Sequence, residues 1–579
     1  MADNHQTSEI EEFFSIWRIN TRTQKFLREQ VPQSWERLGG RALLARIMLD
    51  EVIPTCEALG SNNKLVFAPG LLVGHKLSSF DRISIGAKSP LTGGIKESNA
   101  GGRTGLQLTH LGIKALIIED QPEETGTWIL HLSAAGAVFE EAGELAGKGV
   151  FETAALLLER YGEKAAIALI GPGGEMRLSS AGIQNLDKDR SPTRIAARGG
   201  LGAVMGSKGL KAVVIDSSGG SKPPIVDPES FHETRKEYVK ALQEHPQTGI
   251  YNDFGTIAMT AMTNSYGAIP TNNFSKGQFD GASKIGADFM RERLLNRGGE
   301  ADTSHACMAG CIIRCSNIYA DAGGKAVVTP LEYETVGLLG SNLGIDDLDK
   351  IAEMNAELND LGLDTIEIGA SLGVAAEAGL MEFGDGARAL ELVNEIREGT
   401  PLGRILGSGS GTAGKVLGIE RVPVVKNQAI SAYDPRTVKG TGVTYATSPQ
   451  GADHTAGLTI RADIDHLSPE GQVEVSRAAQ FKTAGYDVIG ACTFAGFGVS
   501  LAPHVISELL NARYGWETGD NILVDLGREC IKLERQFNKL AGFTSADDRL
   551  PEWMTREPLP PHNAVFDVPY EQLDSTFDW

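Results

Sequence analysis

Three of the six cysteines in this 579-residue chain fall within nine residues, His305-Ala-Cys307-Met-Ala-Gly-Cys311-Ile-Ile-Arg-Cys315. No other stretch constrains the fold as much, because three thiolates at C-x3-C-x3-C converge only if the backbone wraps around a soft guest. Zinc and an iron–sulfur cluster both qualify. Structural zinc usually shows paired C-x2-4-C or H-x3-5-H groups, and no second pair exists here. A radical-type cluster loop would read C-x3-C-x2-C, one residue shorter before Cys315. A fourth ligand must therefore come from far along the chain.

The length exceeds what one core serves, so roughly two to four domains are expected. Glycine, at 69 residues, is well above ordinary usage, which suits tight turns and close backbone approach to a ligand. The net charge of −21 is dispersed rather than gathered in a tail, and a chain without a basic face is a poor partner for nucleic acid or an anionic membrane. Unpaired cysteine spacings argue against a disulfide framework. The segment Met1–Glu12 has no basic region leading into an apolar run, and no apolar stretch approaches the roughly 20 residues that span a bilayer. The expectation is a cytoplasmic protein in a reducing compartment.

Up to about residue 215, short apolar runs alternate with glycine punctuation. Lys64–Ala68, Arg82–Gly86, Ala115–Glu119, Trp128–Leu132, Ala165–Ile170 and Ala212–Ile215 read as strands, and Gly149–Tyr161 as a helix stopped by Gly162. Three glycine-rich loops lie between them: Ser98-Asn99-Ala-Gly101-Gly102-Arg103, Gly171-Pro-Gly-Gly174-Glu175, and the stretch from Arg194 through Arg198-Gly199-Gly200 to Lys208. With Arg82, Arg194, Arg198 and Lys208 interleaved, such loops suit a phosphorylated cofactor. None has the G-x4-G-K-[ST] or G-x-G-x-x-G order that ATP or a dinucleotide needs. A polar, proline-rich linker near 217–228 opens a mainly helical second half. Helices are expected from Asp227 to about Glu244, over 345–361, over 469–483 with Ser468 as N-cap, and near 500–513 and 525–541. A glycine-rich joint at 407–414 suggests a subdivision near 420, and the tail after Pro551 reads as a surface segment.

Ser89-Pro-Leu-Thr-Gly93, Ser98-Asn99-Ala-Gly-Gly102, Arg198 to Lys208, Glu332-Tyr-Glu-Thr335, Leu361-Gly-Leu-Asp-Thr365 and Tyr445-Ala-Thr-Ser…His454 occur together and in order. This ordered set resembles the aldehyde ferredoxin oxidoreductase family, tungsten or molybdenum bis-pterin enzymes, over nearly the whole chain. The resemblance implies an α+β fold: a β-rich pterin-cradling domain (1–216), then two mainly helical domains (217–420 and 421–579). It implies two pterin motifs of the form D-x-x-G-L-[CD]. The first reads Asn359-Asp-Leu-Gly362-Leu363-Asp364, with Asn359 in place of Asp. The second reads Asp487-Val-Ile-Gly490-Ala491-Cys492, with Ala491 in place of Leu, and it makes Cys492 the distant cluster ligand. Cys56 and Cys530 read as structural. The first-domain loops would meet the pterin phosphates through Arg82, Asn99, Gly101, Gly102, Arg194, Arg198, Gly199 and Gly200, with Mg²⁺ bridging phosphates as a hard cation does.

The activity implied is oxidation of an aldehyde to an acid, with electrons leaving through a [4Fe–4S] cluster on Cys307, Cys311, Cys315 and Cys492 to ferredoxin or a similar carrier. Glu332 and His454 match the family's proton-transfer residues, and Glu334 is the alternative base. Within the family, a non-aldehyde substrate or acid and acyl reduction stay open; outside it, a radical iron–sulfur enzyme or a non-catalytic electron-transfer protein are the rivals. Homo-oligomerisation is common among relatives, although no interface is legible. An acidic chain would need a local basic patch near the cluster to receive an acidic ferredoxin.

Overall fold

The computed structural model describes residues 12–123 and 126–578; the segment 1–11, part of the stretch that shows no leader pattern, lies outside them. All six expected strands form, and they gather with six others into two sheets. The first holds Ser15–Asn20 (β1), Lys25–Gln30 (β2), Leu65–Pro69 (β3), Ile83–Lys88 (β4), Ile95–Ala100 (β5) and Ile113–Glu119 (β6). The second holds Trp128–Ser133 (β7), Gly136–Glu141 (β8), Ala166–Leu169 (β9), Ile183–Leu186 (β10), Pro192–Ala196 (β11) and Leu210–Ile215 (β12). Their strand orders, β2-β1-β6-β3-β4-β5 and β11-β10-β9-β12-β7-β8, are one topology used twice. Each starts with an antiparallel hairpin, pairs its first strand in parallel with its last, and continues antiparallel through the remaining three. Apolar residues of both sheets, among them Phe67, Ile85, Leu130 and Val213, share one core.

The strands missed in the sequence have polar patterns. β2 is a largely exposed edge. β5, Ile-Lys-Glu-Ser-Asn-Ala, is buried although four of its six residues are polar, because those side chains find partners at the centre of the molecule: Lys96 Nζ donates to Asp453 at 2.8 Å, and the Glu97 amide to Gln450 Oε1 at 2.7 Å. Alternation rules do not flag a strand whose polar face looks inward.

The second half is mainly helical. Pro228–Glu244 starts at Asp227, whose carboxylate accepts from the Ser230 amide, and Leu348–Leu361 starts at Asp347. The helix expected from 469 instead spans Gln472–Ile489. Ser468 caps only a turn, its hydroxyl accepting from the Glu470 amide, and the helix begins after Gly471. The tail also differs from expectation: Met554, Leu559, Phe566, Val568 and Leu573 are buried, so it packs apolar side chains into the molecule. A small antiparallel sheet of Asp302–His305 (β13), Ser316–Ala320 (β14) and Ala326–Val328 (β15) frames the cysteine loop. Among the described residues no single helix is long and apolar enough to cross a membrane.

Candidate active site

Each expected pterin motif is the C-terminal turn of a helix. Leu348–Leu361 ends at Gly362 (φ 72°) and Gln472–Ile489 at Gly490 (φ 79°), left-handed positions where glycine is the least strained residue. Each turn docks on the equivalent place of its own sheet. The Gly182 amide donates to Gly362 O at 2.9 Å and the Asp364 amide to Ser180 O at 3.0 Å; the Arg82 amide donates to Gly490 O at 3.2 Å and the Cys492 amide to Ser79 O at 2.7 Å. Glycines at the ends of β9 and β3 permit the approach. A Cβ on Gly171 would stand 2.3 Å from Leu361 O, and one on Gly70 2.0 Å from the Gly490 nitrogen.

Between the two turns lies a cavity of about 370 Å³. Most of the expected site residues line it: Arg82, Asn99, Gly101, Arg194, Arg198, Asn359, Leu363, Asp364, Asp487, Glu332 and His454, together with Cys307, Cys315 and Cys492. The size and the convergent polar groups fit a small molecule or cofactor. Three buried donor or acceptor atoms have no hydrogen-bond partner here, Arg194 Nη2, Glu97 Oε1 and Glu334 Oε1. Such atoms are costly unless a ligand meets them.

The arginines divide by how much of them the protein already uses. Arg82 gives Nε to the Asn99 side chain and Nη2 to Asn99 O at 3.1 Å. Arg194 gives Nη1 to Ser316 Oγ at 2.9 Å and leaves Nη2 over. Arg198 is committed throughout: Nε to Asp364, Nη1 to Ser431 Oγ and Ala452 O, Nη2 to Ala429 O. Gly199 and Gly200 sit against Lys96 and Pro90, and Gly102 against Leu186 O; their small size serves packing of the protein on itself. The Gly171–Glu175 loop is a short helix, Pro172–Glu175, pressed against Leu363 and Gly202. Lys208 donates to Asn63 O and Asp120 O. Neither this loop nor Lys208 lines the cavity.

Glu332 occupies the N-cap position of the helix Tyr333–Leu339 without a side-chain capping bond, and Glu334 lies in its first turn. The two point to different neighbours. Glu332 Oε1 accepts from Ser316 Oγ at 3.3 Å and lies 3.8 Å from Arg194. Glu334 Oε1 lies 3.4 Å from His454 Nε2, while Oε2 accepts from the Ala432 amide at 2.9 Å. Burial raises the Glu334 carboxyl above its ordinary range against the pull of His454. His454 Nδ1 is 3.1 Å from Ser431 Oγ, which fixes the ring. The carboxylate–imidazole pair is thus Glu334–His454.

Asp453, beside His454, stays ionised: burial opposes its charge, but Lys96 and Arg198 hold it well below the usual carboxylate range. Glu97 and Asp487 are buried near one another, and burial raises both. Arg41 forks onto Glu534 at 2.7 and 2.9 Å and reaches Asp487 at 3.2 Å. Lys96, Glu97, Arg41 and Gln450 line the cavity without having been singled out from the sequence; the one signal was a charged Ile-Lys-Glu segment between two glycine loops.

Glu97 gives a pH test. Folding raises its carboxyl, so between its unfolded and folded values the folded chain holds more protons, and stability falls as pH rises through that interval. In the cofactor-free protein Glu97→Gln is expected to remove on the order of 2 kcal/mol of stability difference between about pH 5 and 8. Urea unfolding at the two pH values measures it; identical slopes for both proteins would contradict the reading.

Cys307, Cys315 and Cys492 are half-buried, and burial pushes the Cys307 thiol up to about 12 and raises the other two. Cys311 Sγ is 3.6 Å from Ser79 Oγ. Among the described residues, no three of these sulfurs lie within 4.8 Å of one another, whereas a single zinc at Zn–S of about 2.3 Å would draw them closer than that. Cys56 is half-buried away from the cavity, and Cys530 is buried beside Glu534.

Two family models cover the chain, the N-terminal domain of aldehyde ferredoxin oxidoreductase over residues 16–217 and its domains 2 and 3 over residues 233–577. The protein belongs to the aldehyde ferredoxin oxidoreductase family. Tungsten-containing aldehyde ferredoxin oxidoreductases from Pyrococcus horikoshii and Pyrococcus furiosus are each 32% identical to it, over 94% and 92% of this chain and 92% and 89% of their own. An aliphatic sulfonate oxidoreductase WOR-like subunit of Pyrococcus furiosus is 27% identical over 90% of this chain and 85% of its own. In fold, the chain resembles the active site complex BamBC of benzoyl coenzyme A reductase, with a TM-score of 0.78 at 18% identity over 98% of this chain and 93% of that one.

Proposed function

We propose that the protein oxidises aldehydes to carboxylic acids with a tungsten-pterin centre, molybdenum being the alternative metal, and passes electrons through a [4Fe–4S] cluster to ferredoxin or a similar carrier. The observation that carries this reading is one cavity that brings together both helix-end motifs, three of the four cysteines and the Glu334–His454 pair. The residues fit the implied groups. Arg82, Arg194 and Asn99 would meet the pterin phosphates, whose charge Mg²⁺ would help to balance, and Arg194 Nη2 has no partner within the protein. Asn359, Gly362, Leu363, Asp364, Asp487 and Gly490 would hold the pterin edges. The spread of Cys307, Cys311, Cys315 and Cys492 suits a four-iron cluster.

When bound, the metal–pterin group supplies the two-electron sink that no side chain offers. The chain's own residues manage protons and orientation. Conversion of RCHO and water to RCOOH releases two protons and two electrons. The Glu334 carboxylate, its affinity for protons raised by burial, takes a proton from the attacking water or hydrated aldehyde. His454, fixed at Nδ1 by Ser431, presents Nε2 both to Glu334 and to the carbonyl oxygen. Asp453, held ionised, lies 3.8 Å from His454 Nδ1. Glu332 lies on the cysteine side of the cavity next to Arg194, where its charge opposes that of the cluster sulfurs.

Elemental analysis together with aldehyde-dependent viologen reduction tests the proposal. About four irons with one tungsten or molybdenum, and turnover of simple aldehydes, is the expected result. Iron without either metal or pterin would overturn it, and turnover of sulfonates or acyl substrates in place of aldehydes would overturn the substrate class.

A further inference from the structure

A groove of about 520 Å³ opens on the surface against the outer side of the cysteine loop. Its floor includes Met308 and Ala309, the residues that directly follow Cys307, and its walls carry Lys76, Arg103, Lys164, Lys188 and Arg190. Ala309 and Gly310 are exposed, so the loop between two cysteines forms part of the outer surface. Arg314, in the same loop, is also exposed, its guanidinium on Ser304 O.

The cations lining this groove stand out in a chain that as a whole carries 75 acidic and 54 basic residues. Glu163 and Asp189 are the exposed carboxylates at the rim, and each is taken: Glu163 by Arg190 at 2.9 Å, Asp189 by Lys188 at 2.5 Å and His305 at 2.9 Å. Asp81 is buried, with burial raising its carboxyl to about 6. Arg103 is held by the backbone carbonyls of Glu163 and Lys164, both at 2.9 Å; no carboxylate contacts it among the described residues, although Asp187 lies near enough to favour its charge. Lys76 and Lys164 are exposed, with no carboxylate within 4.0 Å among the described residues. Asp216 and Asp81 act on Lys164 and Lys76 from beyond contact distance, and cations that no carboxylate contacts, set around a concave surface, attract an anionic partner and raise its encounter rate.

We propose that this groove is the docking surface for an acidic one-electron carrier protein, which receives electrons through the Cys307–Cys311 loop, a placement that rests on the four cysteines holding the cluster. Two electrons leave each aldehyde as it becomes the acid. Two oxidised carriers each accept one in successive dockings, and the two protons go to solvent. Steering by charge suits such a partner, because it must arrive and leave twice in every turnover.

The test compares the holoenzyme with its Lys76→Glu/Lys164→Glu variant, using a bacterial two-cluster [4Fe–4S] ferredoxin as the acidic carrier. Both lysines are exposed and outside the cavity, so aldehyde oxidation with a small viologen dye should be unchanged. At low ionic strength the ferredoxin KM and its directly measured Kd should each rise about tenfold or more, and the difference should shrink as salt is added. A Lys415→Glu/Lys539→Glu variant, reversing exposed cations elsewhere, should leave both constants unaltered. Unchanged ferredoxin binding in the first variant, or equal weakening in the control, would overturn the docking surface. Absence of aldehyde-driven dye reduction in the wild type would overturn the proposed activity instead, and the binding measurement would still decide the surface.

Discussion

Glu334→Gln is expected to lower kcat for aldehyde oxidation by roughly 10²- to 10⁴-fold while metal, pterin and iron contents stay at wild-type levels. Glutamine keeps the shape of the side chain and can still accept the Ala432 N–H now bound by Oε2, so the site should remain assembled. What is lost is a carboxylate 3.4 Å from His454 Nε2. Burial sets the direction of the pH effect as well. Because the Glu334 carboxyl titrates above the ordinary range, the wild-type rate should climb with pH through that raised value as the base ionises. The limb should vanish in the variant. Glu332→Gln is the comparison: its Oε1 is engaged by Ser316 and it does not meet the imidazole, so the acid limb should persist. If Glu332→Gln removed the limb and Glu334→Gln did not, the two roles would be reversed.

The sequence pointed to Glu332, with Glu334 as the alternative base, whereas the fold sets Glu334 against His454, and the reason is geometric. Glu332 is the N-cap and Glu334 sits in the first turn, so the backbone sends them in different directions, and only the fold says which one His454 faces. The same holds elsewhere. The cysteine loop and the glycine-ended helices were legible because each is a local device: a cluster of thiols, or a left-handed stop after an apolar helix. β5 was not, since its lysine and glutamate are buried only by virtue of Asp453 and Gln450 more than 350 positions later. The duplicated sheet topology was hidden for a related reason: two sheets can share connections and hydrogen-bond order while differing in nearly every side chain. Arginine–glycine loops promise a phosphate site in the sequence, yet glycine is equally what close packing needs. Gly171, Gly199 and Gly200 meet protein backbone or Lys96.

Arg198→Met should be the most damaging of the buried substitutions, costing about 3–5 kcal/mol of stability and lowering metal content in parallel. Arg198 joins segments distant in sequence: Asp364 of the first helix-end motif, Ala429 and Ser431, and Ala452 before the Asp453–His454 pair. Methionine fills the volume but leaves Asp364 with only the Ile366 amide and Ala452 O with only the Gln428 side-chain amide, and an unpaired buried charge costs more than the pair contributed. Asp453 would remain held by Lys96 at 2.8 Å, so the damage should centre on Asp364 and on the Ser431 hydroxyl that orients His454. Arg198→Lys should recover only part of the loss, because one ammonium cannot serve four acceptors spread around a planar fork. Arg41 does the corresponding work for the second motif, tying Asp487 to Glu534, and Arg41→Met should fall in the same range. Urea unfolding of the cofactor-free proteins separates this from any direct role in binding phosphate. If Arg198→Met unfolded like the wild type but bound little metal, the arginine would act as a ligand of the cofactor, and the joint between the motif and the His454 segment would have to be held by other contacts.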